Sequence, residues 1–185
     1  MTTRTSQITT RWAAPEDVPA LQALMKRAID ALQGDVLTPE QVVASHQVMG
    51  LDTQLIADGT YLVAERDGVI AGCGGWSYRA TLYGGDHSTD LRDPELLDPA
   101  RDAARIRAMY TNPDFVRQGV GRRVLADCEA AAAAAGFAAV ELMATLAGER
   151  LYTPSGYVPV ERVDAMGGGI AIPMIRMRKE LAAKA

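Results

Sequence analysis

The chain has 185 residues, 48% of them hydrophobic and 23% charged, with a formal net charge of −4 and a pI near 5.2. Those values belong to an ordinary globular chain; they argue against a basic nucleic-acid-binding surface, and no apolar run reaches the ~20 residues of a membrane span. Cys73, Cys128, His46 and His87 lack zinc-ligand spacing, so no metal site is expected and both thiols read as reduced and buried, with Cys73 a possible pocket-lining residue.

The N-terminal stretch MTTRTSQITTRWAAPEDV has no apolar signal core, so a cytoplasmic location is expected. Ile8 to Trp12 reads as a first strand. Ala14-Pro15-Glu16-Asp17 starts a helix, because proline lacks a donor that the first turn leaves free and acids suit the positive end of the dipole. Val18, Leu21, Leu24, Met25, Ala28 and Leu32 repeat at helical spacing and give it one apolar face. Thr38 and Gln41 read as the capping box of a second helix. His46 falls in that helix, where a histidine is ordinarily structural or exposed.

Thr60 to Arg66 and Val69 to Tyr78 flank Asp67-Gly68, a strong hairpin signal. Gly72, Gly74 and Gly75 predict a bulge or a close backbone approach in the second of these strands. Arg79 to Ala103 is polar and turn-rich and reads as one long loop. Arg105 to Thr111 is a fourth strand, and a helix then runs to about Ala135, with Gly136 as its stop. Ala138 to Thr145 is an apolar fifth strand of the kind covered on both faces. A short helix over Gly148 to Thr153 is limited by Pro154. Tyr157 to Asp164 and Ile170 to Arg178 form a last hairpin around Gly167-Gly168-Gly169. The order βααβββαβαββ predicts one domain over residues 1–185. Its fold class is an α/β (α+β) sandwich, with a mixed, mostly antiparallel sheet of about seven strands flanked by about four helices.

The segment Arg105 to Gly121, RIRAMYTNPDFVRQGVG, is a strand, a turn and a Gly-X-Gly that opens a helix. Glycine lets a ligand approach the backbone, and the free N–H groups and dipole of a helix's first turn attract phosphate oxygens. No Gly-Lys-Ser/Thr and no third glycine follow, and the loop comes late in the chain, which argues against P-loop and dinucleotide sites. From these residues alone, Gly119 and Gly121 are either an anion cradle or a turn residue and a packing residue.

VRQGVGRRVL resembles motif A of the GNAT superfamily of N-acetyltransferases, Gln/Arg-X-X-Gly-X-Gly/Ala. LYTPSGYVPV, Leu151 to Val160, resembles that family's later signature, with Tyr152 four residues before Gly156-Tyr157. The resemblance spans about Ile8 to Leu181 and implies the same order of elements, with direct transfer of an acetyl group from acetyl-CoA to an amine. Carried over by position, Val116, Arg117, Gln118, Gly119, Val120 and Gly121 hold the pyrophosphate, mainly through backbone N–H groups. Met109, Tyr110 and Thr111 pair with the pantetheine arm, and the N–H of Met109 or Tyr110 polarises the thioester carbonyl. Tyr152 is the expected catalytic residue, the acid that protonates the departing thiolate; packing against the cofactor sulfur is the alternative. Val116 departs from the motif's Gln or Arg, and Arg117, Arg122 or Arg123 stand near to compensate.

The base and the acceptor stay open. The fourth strand carries no carboxylate, which leaves Glu65, Asp86, His87 and Glu141 as candidates, with His87 the most suggestive because it titrates near neutrality. Arg105 and Arg107 alternate onto one strand face, either to hold a carboxylate of the acceptor or to pair with structural acids such as Asp102 or Glu141. Trp76, Tyr78 and Tyr83 are either an aromatic wall for the acceptor or ordinary core. The expected partner is a small-molecule amine, with no nucleic acid and no membrane, and a homodimer is compatible with the architecture. Protein N-terminal or lysine acetylation and a non-catalytic acyl-CoA-binding module are the competing readings.

Overall fold

Seven strands form one sheet in the computed structural model, which describes residues 6–182. In chain order the elements are β1 (Thr9–Trp12), α1 (Val18–Leu32), α2 (Pro39–Ser45), α3 (Thr53–Ala57), β2 (Tyr61–Arg66), β3 (Val69–Ser77) and β4 (Ala104–Thr111). Then come α4 (Val120–Ala134), β5 (Ala139–Thr145), α5 (Glu149–Tyr152), β6 (Val158–Gly167) and β7 (Ile170–Glu180). The strand order is β1-β2-β3-β4-β5-β7-β6, and every pairing is antiparallel except that of β4 with β5. This is the mixed, mostly antiparallel sandwich that the sequence predicts. The added element is α3, whose start is capped by Asp52 accepting from the Gln54 N–H at 3.0 Å. It is too short to leave a periodic signature.

Local chemistry explains the boundaries. Asp67 and Gly68 both adopt positive φ, +53° and +77°, as a tight hairpin turn with the correct twist requires. At the start of α2 the Gln41 N–H donates to Thr38 Oγ1 at 3.3 Å and the Thr38 N–H donates to Gln41 Oε1 at 3.0 Å, a reciprocal capping box.

The two sheet faces carry separate cores, because successive side chains of a strand point opposite ways. Leu62 and Ala64 of β2 join Val124, Leu125 and Cys128 of α4 on one face. Tyr61 and Val63 join Leu21, Leu24 and Met25 of α1 on the other. A Cβ on Gly72 would come within 2.5 Å of Val120 Cγ1, so the β3 glycines mark close approach of α4 to the sheet.

Two features shape the middle of the sheet. Cys73 pairs with Tyr110 but Gly75 pairs with Arg107, so β4 carries one extra residue. The bulge falls at Ala108, at φ +49°, and the Tyr61 hydroxyl donates to its carbonyl at 2.7 Å. Parallel pairing of β4 with β5 stops at Arg105 and Glu141, and beyond that point the two strands part.

The long loop of the sequence reading is corrected to a wide hairpin. Leu97 N–H donates to Tyr78 O at 2.8 Å, Ala80 N–H to Glu95 O at 2.9 Å and Thr81 N–H to Asp93 O at 2.9 Å. Its tip docks through Asp86 N–H on Leu51 O at 2.9 Å. Backbone pairing of this kind needs no alternating apolar pattern, so composition alone hides it.

Candidate active site

Where β4 and β5 part, a cavity of about 810 Å³ opens, walled by Ile106 to Thr111 on one side and by Leu142, Met143 and Thr145 on the other. At one end stands the N-terminus of α4. Gly119 caps that helix at φ +84° with no side-chain hydrogen bond, and Arg117 before it also has positive φ, +61°. The first-turn N–H groups therefore have no side-chain cap, and Gly119, Val120 and Gly121 border the cavity. Such a terminus suits an anion. A Cβ on Gly121 would lie 3.0 Å from Leu151 Cδ2, so glycine there lets α5 close against the cradle.

The side chains around the cradle divide. Val116, Arg117 and Arg122 line the cavity. Gln118 does not; its Oε1 accepts from Arg66 Nη1, which turns the carboxamide away. Arg123 is tied to Asp127 at 2.9 Å.

Tyr152 borders the cavity beside the cradle and is 7% exposed. Its N–H donates to Gly148 O at 3.2 Å, and its ring packs edge-on against Tyr157 with centroids 5.6 Å apart. Burial, aided by the charges of Tyr110 and Cys128, pushes its phenol well above the ordinary tyrosine range. A phenol is protonated at neutral pH with or without that shift, and the shift makes it a weaker acid. Met109, Tyr110 and Thr111 also line the cavity, opposite β5. The Tyr110 hydroxyl accepts from the Gly50 N–H at 3.0 Å, which fixes that side chain on the α1 face.

The other end of the cavity is made by the end of α1, by residues 48–50 and by the hairpin residues 82–84. Arg107 borders it but is already engaged. It is 3% exposed, and its Nη2 donates to Asp52 Oδ2 at 3.1 Å and Gly84 O at 2.9 Å, while Nη1 donates to Thr81 O at 3.3 Å. Arg105 donates to Glu141 Oε2 at 3.1 Å and Ala80 O at 3.3 Å, and it is not on the cavity wall. Burial lowers both guanidinium groups, and Glu141 for Arg105 and Asp52 for Arg107 offset part of it. The two arginines fasten the hairpin to the sheet rather than wait for an acceptor carboxylate.

Trp76 and Tyr78 also stand outside the cavity. Trp76 packs edge-on against Tyr78 at 5.9 Å and Phe137 at 6.2 Å, in the core under α4. Of the three candidate aromatics, Tyr83 alone lines the site.

None of the four candidate bases borders the cavity. Burial alone would raise the Glu141 carboxyl, but hydrogen bonds from Arg176 and Arg178 outweigh it and hold it below its ordinary value. Glu65 accepts from Arg11, and Asp86 accepts from Thr53 and Arg92. His87 lies over Gly50 and Gly85. Cys73 lies in the α1-side core with its thiol pushed up to about 12 by burial, and it is not on the wall. His46 closes α2 and meets Asp30 at 2.7 Å. Among the described residues no group of three or more His, Cys, Asp or Glu is placed to hold a metal, and no helix is long and apolar enough to cross a membrane.

Gln33, Asp35, Met143 and Met174 line the cavity without any local sequence signal. They belong to segments far apart in the chain that meet only in the fold.

A family model described as the acetyltransferase (GNAT) family matches residues 29–157. A search among curated protein sequences gives no match. Among solved structures, a GCN5-related N-acetyltransferase from Rhodopseudomonas palustris is similar at TM-score 0.71 and 23% identity, over 95% of this chain and 97% of that one. The PaiA N-acetyltransferase from Thermoplasma acidophilum, in complex with coenzyme A, is similar at TM-score 0.61 and 12% identity, over 95% and 99%. A ribosomal-protein-alanine N-acetyltransferase from Brucella melitensis is similar at TM-score 0.62 and 18% identity, over 94% and 99%.

Proposed function

Because the chain belongs to the GNAT acetyltransferase family, we propose that it moves an acetyl group from acetyl-CoA to the primary amine of a small molecule. The observation that carries this reading is one continuous cavity that joins an uncapped helix N-terminus to Tyr152 through the gap between β4 and β5. The residues present fit the cosubstrate. The uncapped turn at Gly119 to Gly121, with Arg117 and Arg122 beside it, suits a pyrophosphate. The edge of β4 that has no strand partner after Arg105 suits an amide-bearing arm.

When bound, acetyl-CoA supplies the acetyl group already activated as a thioester. Met109 or Tyr110 offers a backbone N–H to the carbonyl oxygen as charge builds on it. Tyr152 holds at Oη the proton that the departing sulfur needs, as a phenol does at neutral pH. None of the four candidate bases is on the wall, and the one carboxylate that lines the cavity, Asp35, stands at its exposed rim, so the amine proton leaves through water. A compact acceptor is supported by the hairpin residues 82–84, pinned by Arg107 across the cavity's far end. One sheet with its two helical layers carries both ends of the site, which supports reading the chain as a single acyltransferase domain.

Release of CoA from acetyl-CoA in the presence of small primary amines tests the proposal, with Tyr152→Phe beside the wild type. The variant should lose about 10²–10⁴-fold in kcat, the range for a lost general acid, while its affinity for acetyl-CoA stays unchanged. Equal turnover in the two proteins would reduce Tyr152 to packing. Acetylation of peptide N-termini with no small amine accepted would overturn the acceptor class.

A further inference from the structure

The sheet ends on two open edges, and they are built differently. β1 is four residues long, and its Arg11 is held by Asp17 and Glu65, so that edge is short and charged. β6 is ten residues long and closes the other side of the strand order. Pro159 and a register shift between Pro159 and Glu161 interrupt its first residues. From Glu161 to Gly167 it pairs with β7 without a break, and that run contains no proline and no lysine. A long regular edge turns a row of N–H and C=O groups outward, the arrangement that recruits another strand.

The two faces of β6 differ as well. A Cβ on Gly167 would come within 2.5 Å of Ala44 O, so α2 covers the face that carries the buried Ala165 and Gly167. Arg162, Asp164 and Met166 alternate onto the opposite face and are exposed. Glu161 meets Arg176 at 3.5 Å, whereas Arg162 and Asp164 meet no opposite charge among the described residues.

Those two charges select the occupant. Residues opposite each other in an antiparallel ladder share a face, so two copies of one strand pair about a two-fold axis centred on a residue. Centring on Glu161, Arg162 or Asp164 sets like charges against each other, and centring on Ala165 gives neither Arg162 nor Asp164 a partner. Centring on Val163 sets Arg162 of each copy against Asp164 of the other, and Glu161 against Ala165. It also brings the exposed Val160 toward the exposed Met166 of the second copy.

We propose that β6 is a dimer interface, along which a second copy of this chain pairs antiparallel with the two-fold axis at Val163. The two sheets then run on as one. Val163 lies opposite Met174 of β7, which lines the cavity, so the interface backs the far end of the site. Pairing by this edge requires neither cosubstrate nor amine.

Sedimentation equilibrium over a wide concentration range, with thermal melting alongside, tests the proposal. The wild type should reach twice the 19.8 kDa chain mass and stop there, since β1 offers no second long edge. Arg162→Asp and Asp164→Arg each set like charges opposite one another on both sides of the axis. Each should weaken the dimer by about tenfold or more and melt as a folded protein, because both side chains are exposed. Mixed together, the two variants regain both opposite-charge pairs in a heterodimer, and the dimer mass should return. Val163→Cys puts two thiols at the axis, where facing Cα atoms stand about 4.5–5.5 Å apart, within disulfide reach. An added oxidant should link the copies there, since Cys73 and Cys128 are buried. A wild type that stays monomeric would overturn the proposal and leave the edge to a different partner. A dimer that neither charge variant weakens would place the interface elsewhere and overturn it too, as would a mixture that stays monomeric or a Val163→Cys dimer that does not cross-link.

Discussion

The two ends of the cavity are built in different ways. The cradle end is backbone: a glycine at positive φ, an uncapped helix turn, and residues of one short stretch, Val116, Arg117 and Gly119 to Arg122. The far end is side chains: Gln33 after α1, Met49 after α2, Tyr83 in the hairpin, Met174 in β7. A backbone site tolerates change in nearly every side chain near it, because its donors belong to no particular residue type. A side-chain site changes its ligand with each substitution. One end can therefore hold a common cosubstrate while the other sets which amine is accepted.

The comparison breaks most sharply at Gly119. A Cβ there meets nothing within 4 Å, so Gly119→Glu has room, at a strain of roughly 1–2 kcal/mol for an L side chain at φ +84°. Its carboxylate would sit where phosphate is expected, and like charges ~4 Å apart repel by about 4 kcal/mol at an effective dielectric of ~20. Calorimetry should show acetyl-CoA affinity down by more than about a hundredfold in a protein that remains folded. Affinity like that of the wild type would remove the cradle.

Arg107→Met probes the other end. It removes the partner of Asp52 Oδ2 and of two carbonyl oxygens while Asp52 Oδ1 keeps the Gln54 N–H and Arg92, so denaturant unfolding should report a loss of about 2 kcal/mol. The KM for the amine should rise as the hairpin loosens, with acetyl-CoA affinity unchanged. A parallel fall in acetyl-CoA affinity would show that the two ends are one mechanical unit and that the comparison is too simple.

Val116→Arg is the smallest test. Val116 is partly exposed on the cradle wall. Restoring a cation there should tighten acetyl-CoA binding by about 0.5–1 kcal/mol, a surface ion-pair scale, and the gain should fade with added salt. A gain that persists in high salt would point to packing instead of charge.

Legibility in the sequence follows the same division. The hairpin at Asp67-Gly68, the capping box at Thr38 and the glycine opening of α4 depend on chemistry within a few residues, and each is readable where it stands. The bulge at Ala108 leaves no trace, because alanine is an unremarkable residue and its positive φ is imposed by pairing with β3. Trp76 and Tyr78 read equally as wall or core, since an aromatic side chain suits both; strand register then turned Trp76 toward Phe137.

By itself the sequence determined the order of the strands and of the longer helices, the alternation that gives the sheet two buried faces, and the glycine opening of α4. Periodicity, turns and helix ends are local, so a few residues specify them. The tertiary structure alone decided which charges are free to meet a substrate. Arg107 pairs with Asp52 across 55 residues of chain and Arg105 with Glu141 across 36, while Arg117 and Arg122 are left on the cavity wall. Whether a polar group serves the fold or the ligand depends on what the folded chain brings within about 3 Å of it, and no local pattern carries that distance.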